Sequence, residues 1–122
     1  MTVFRNATPA ALELYRGVLG VVQPLGAFAE EVKKTSVHLV RASAFAGVHF
    51  RRDYLIVTIR SAAPIVSPRV VKIEQISRNR WHCDVKLSSG AELDSELVGW
   101  LRAAYELCGP RAGQEVRATE DA

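Results

Sequence analysis

Three histidines, His38, His49 and His82, are the side chains of this 122-residue chain best suited to chemistry near neutral pH, where an imidazole changes charge. Two of them fall in neighbouring blocks, Ser36-Val-His-Leu-Val-Arg41 and Ala44-Phe-Ala-Gly-Val-His-Phe50. A pair of imidazoles on one face of a β-ribbon would hold a metal ion or a phosphate oxygen, with His82 as a third member. A divalent metal takes three or four ligands, yet no Cys, Asp or Glu accompanies His38 and His49 at a fixed spacing. Asp84 is the only carboxylate expected near His82 on its face. The pattern favours surface or hydrogen-bonded imidazoles beside aromatic rings, so no metal and no cofactor is expected.

Covalent chemistry has less support. There is no Gly-x-Ser-x-Gly elbow for a serine nucleophile. Gly17-Val-Leu-Gly20 lies inside a helical pattern and cannot cradle a phosphate. Asp53, Glu74 and Asp84 stand apart rather than as a pair for acid–base work, and Glu30-Glu31 beside Lys33-Lys34 reads as a solvated strand edge. Cys83 and Cys108 lack a metal spacing and read as unlinked thiols in a reducing compartment, with Cys83 inert in the core. An enzyme is not the expected class, and no catalytic residue is assigned.

Charge points elsewhere. The chain has net charge +3, but residues 33–86 hold eleven Lys or Arg against three acidic residues, and the remainder is net −5. A basic sheet surface next to acidic helices suits nucleic acid or a small anion. Strand-edge cations that discourage aggregation explain the same pattern equally well. Basic groups interleaved with Phe45, Tyr54 and Trp81 resemble a backbone-tracking, base-stacking surface. The candidate ligand surface is therefore His38, His49, His82, Lys34, Arg51, Arg52, Arg60 and Arg80. A sheet edge is also open to pairing, so a homodimer is a further candidate.

The elements that must position these residues follow from periodicity. Short blocks rich in β-branched and aromatic residues fill 36–60, and Arg51-Arg52-Asp53-Tyr54 is a tight turn. If Ser43-Ala44 closes the first ribbon, His38 stands directly opposite His49. Val37, Leu39, Ala46, Val48, Phe50, Leu55, Val57 and Ile59 then form the core face. His38, Val40, Phe45, Gly47, His49, Ile56, Thr58 and Arg60 form the other, which suits a half-open surface or shallow pocket. Thr8-Pro9 opens a first helix with Leu12, Tyr15, Val18, Leu19 and Val22 inward. Gly17 and Gly20 are expected to mark its close contact with the sheet. Residues 27–34 read as a first strand, and 70–76 and 81–87 as a later pair in which Trp81, Cys83, Val85 and Leu87 alternate with His82, Asp84 and Lys86.

Ser89-Gly-Ala-Glu92 reads as a capping box opening a second helix to about Cys108, with Leu93, Leu97, Trp100, Leu101, Ala104 and Leu107 inward. The expected fold is α+β: a two-layer domain over residues 1–109, an antiparallel sheet of five to six strands in a meander with both terminal helices on one face. Residues 110–122 are expected to form a flexible tail. No apolar run is long enough to span a bilayer and no signal region precedes the domain, so a cytoplasmic setting is expected.

Leu14-Tyr15-Arg16, Lys33-Lys34-Thr35, Phe45-Ala-Gly-Val-His49, Asn79-Arg-Trp-His82 and Trp100-Leu-Arg-Ala-Ala-Tyr105, in that order and spacing, resemble the bacterial domain of unknown function 5655 over residues 10–108. The resemblance implies a small cytosolic domain, alone or attached to others, and lends no catalytic residues.

Overall fold

The computed structural model describes residues 2–110; the tail expected from residue 110 lies, beyond that residue, outside them. The chain forms α1 (Pro9–Val22), β1 (Ala29–Val32), β2 (Ser36–Val40), β3 (Ala44–Phe50), β4 (Leu55–Ser61), β5 (Val70–Ser77), β6 (Arg80–Leu87) and α2 (Ser95–Leu107). The six strands make one antiparallel sheet in the order β1-β2-β3-β4-β6-β5. It is a meander only through β4. Residues 62–69 then lead to an edge strand, and the β5–β6 hairpin folds back to set β6 beside β4.

Strand alternation sorts the two faces. Val37, Leu39, Ala46, Val48, Leu55, Val57, Ile59, Cys83, Val85 and Leu87 are buried, and all but Cys83 belong to one hydrophobic cluster shared with both helices. Burying this apolar face is the main stabilising term of the domain. Thr8 caps α1 by accepting the Ala11 N–H, and Ala11, Leu14, Tyr15, Val18 and Val22 are its buried residues. The buried stripe is thus turned from the expected one, with Leu12 and Leu19 only partly covered. The hydroxyl of buried Tyr15 donates to the Glu30 carboxylate on β1, and burial together with this bond pushes its pKa far above the ordinary phenol value. Gly17 makes room for Leu93, not for the sheet.

Other expectations need correction. The Ser89–Glu92 capping box is real but closes a single 3-10 turn, and α2 starts at Ser95 under the Asp94 cap. On α2, Leu97, Leu101, Ala104 and Tyr105 face the core, Trp100 is half-buried and Leu107 is exposed. The β1 strand is four exposed residues long. In the first ribbon His38 pairs with Gly47 and His49 with Ser36, rather than with each other. The difference is two residues, so each side chain keeps its predicted face. Phe45 is the exception. It sits at a bulge where Val40 meets Ala44, and the extra residue turns its ring into the core against Phe28 and Tyr105. The β3–β4 turn is as expected, with Ala46 opposite Ile59 and the Arg51 N–H bonded to the Tyr54 carbonyl.

Candidate functional site

The face of the sheet away from the helices carries one residue type that strands rarely use, at its centre. Gly47 pairs with His38 on one side and Thr58 on the other, and Thr58 pairs with Asp84. One same-face position further along the strands, Arg60 stands opposite His82 and His82 opposite Glu74. One position the other way, His49 stands opposite Ile56. Arg80 on β6, Lys72 on β5 and Arg51 after β3 complete the walls of a cleft of about 490 Å³.

All three imidazoles therefore share one concavity. His38, His49, Arg51, Arg60, Arg80 and His82 line it, whereas Lys34 and Arg52 lie in exposed hairpin turns outside it. Sequence reasoning missed Lys72 and Glu74 as lining residues and gave Gly47 no role. Two other cations have structural work instead. Arg41 stacks on Tyr105, 4.2 Å from its centroid, and donates to the Tyr105 carbonyl at the end of α2. Arg69 donates to both Asp94 oxygens, to Glu96 and to the Glu92 carbonyl, which ties the loop before β5 to the start of α2.

The electrostatics of the cleft are mixed. The Thr58 hydroxyl donates to Asp84 Oδ1 at 2.7 Å, leaving the other carboxylate oxygen free of any protein partner among the described residues. Arg60 Nη1 donates to Ser43 Oγ at 2.9 Å and to Cys108 Sγ at 3.3 Å, which fixes its guanidinium at one end of the cleft. The Nε–H groups of Arg60 and Arg80 are buried, and neither has a hydrogen-bond partner among the described residues. Burial holds the His49 pKa below its ordinary value, aided by Arg51 and His38 and opposed by Asp84. Burial does the same at His82, aided by Arg80 and Arg60 and opposed by Glu74 and Asp84. Both rings are therefore mainly neutral at pH 7.

Among the described residues, no three His, Cys, Asp or Glu side chains come together as a metal-holding group. Cys83 and Cys108 are both free and buried. No described helix is long and apolar enough to cross a membrane. A family model described as "Domain of unknown function (DUF5655)" matches residues 2–108. No curated protein and no solved structure matches the chain.

Proposed function

Since the chain belongs to the family described as domain of unknown function 5655, which brings no activity with it, we propose from the cleft itself that it is a binding domain for a small anion. The anionic group sits between Arg60 and Arg80 beside His82, with Arg51 and Lys72 at the rim. The observation that carries this reading is the convergence of Arg51, Arg60, Lys72 and Arg80 with three imidazoles on one cavity. Guanidinium groups take phosphate and carboxylate oxygens through paired, charge-assisted hydrogen bonds, and those of Arg60 and Arg80 line this one cavity.

A volume of about 490 Å³ fits a small molecule. It supports a discrete ligand over a polymer, and so does the engagement of Arg41 and Arg69 with α2, which removes two cations from any strip that could track a nucleic-acid backbone. Two free cysteines support a reducing, cytoplasmic setting for this role.

The test is calorimetric titration with inorganic phosphate and with sulfate. Arg80→Met, which breaks no side-chain hydrogen bond among the described residues, should weaken anion binding about 10- to 100-fold, the worth of one charged hydrogen bond. Arg60→Met should do the same. Anions that bind neither the wild type nor shift its melting temperature would overturn the proposal.

A second reading draws on the three imidazoles. With Asp84 close to His49 and His82, they form a set capable of acid–base catalysis on a bound phosphate ester. Turnover of p-nitrophenyl phosphate or its diester, abolished by His49→Gln or His82→Gln, would favour it over binding alone.

A further inference from the structure

Gly47 lies in the middle of β3, where glycine weakens a strand and often marks a close approach by another group. Its backbone does not require glycine, because Gly26 is the only residue with positive φ among those described. Protein crowding does not require it either. A Cβ at Gly47 would meet His38 Cδ2 and His49 Nε2 at 3.7 Å and Thr58 Cβ at 3.8 Å, ordinary van der Waals contacts. What the missing side chain leaves is a gap in the sheet surface bordered by the His38 and His49 rings and by Thr58.

We infer that the anion taken by this cleft is a nucleoside phosphate, with its base laid on Gly47 beside His38 and His49 and its phosphate at Arg60 and Arg80. This deepens the anion-binding reading and rests on it. Histidine rings stack on nucleobases as other aromatic side chains do, and the burial that keeps His49 neutral removes the cost of desolvating a charge under the base. The distance along the strand from the Gly47–Thr58 row to the Arg60–His82 row is two residues, about 7 Å. A sugar fills that gap.

Asp84 supplies the second argument. A carboxylate is out of place in a site for a bare anion, since it repels the ligand. It lies in the row of Gly47 and Thr58, and one of its oxygens has no partner among the described residues. That oxygen is an acceptor placed for the hydroxyl of a sugar, which a free phosphate lacks. Arg60 and Arg80 outnumber Glu74 at one end, Asp84 and Lys72 stand in the middle row, and Gly47 lies between the two imidazoles, an order that suits phosphate, sugar and base.

The experiment is calorimetry with the full chain and six probes: AMP, GMP, CMP, UMP, ribose 5-phosphate and inorganic phosphate. At least one nucleotide should bind about 5- to 100-fold tighter than ribose 5-phosphate, the range that one stacked base contributes. Gly47→Val, compatible with a strand, should erase that difference by weakening nucleotide binding more than ribose 5-phosphate binding. Gly47→Ala, which meets no clash, should reduce the difference in the same direction. Equal affinity for ribose 5-phosphate and all four nucleotides would overturn this inference and leave anion binding standing. Failure of all six probes to bind would overturn both.

Discussion

Burial withholds the proton from His49 and His82, and this gives the cleft a pH dependence of predictable sign. Each native pKa lies below the ordinary 6.5. Above 6.5 both rings are neutral in folded and unfolded chains, so their contribution to stability is complete there. As pH falls through 6.5 toward the native values, the unfolded chain binds protons first and stability is lost. Urea midpoints should therefore drop between about pH 7.5 and 5.5, and the drop should shrink in His49→Gln. Sulfate, which does not titrate in this window, should bind more tightly as pH falls, because a bound anion stabilises the imidazolium. An affinity that is flat in pH would mean that His49 and His82 do not face the ligand.

Two bulges decide what the strands present. At the first, Phe45 leaves the histidine face and packs edge-on to Tyr105 at 5.3 Å between centroids, fully buried. Phe45→Ala should cost about 3–5 kcal/mol, the usual range for a deleted core phenyl, read from the denaturant midpoint. A change under 1 kcal/mol, as for a surface residue, would contradict this packing. At the second bulge Ile76 is the extra residue. Without it, the two-residue turn at Arg78-Asn79 would pair Lys72 with Val85 and turn it toward the helices. With it, Lys72 faces Asp84 and Glu74 faces His82, so both join the cleft.

For the whole molecule, the open question at the sequence level was whether a sheet edge recruits a second chain. Both edges carry features that oppose pairing. The β1 edge is four residues long and includes Glu30 and Glu31. The β5 edge exposes Val71, Ile73 and Ile76, but bulges at both ends interrupt its row of backbone groups. Light scattering is expected to give the mass of one chain, 13.4 kDa, with no rise at high concentration. A mass climbing toward the dimer would restore edge pairing as a function of β5.

Much of this domain was legible from local chemistry. Thr8-Pro9 ahead of an apolar helical stripe marks a helix start, and the two-residue turn at Arg52-Asp53 sets the β3–β4 register without help from the rest of the fold. Alternation in β2, β3 and β4 then places valines and leucines under the helices and imidazoles outside, because burial of apolar area dominates and the side-chain period is two. The order of strands, the loss of Phe45 to the core and the arrival of Lys72 in the cleft were not legible. Each depends on a contact between distant segments: β6 against β4, Phe45 against Tyr105, the Ile76 bulge against β6. Gly47 was visible in the sequence as a glycine within a strand, but only the packed sheet set two imidazoles and Thr58 around it.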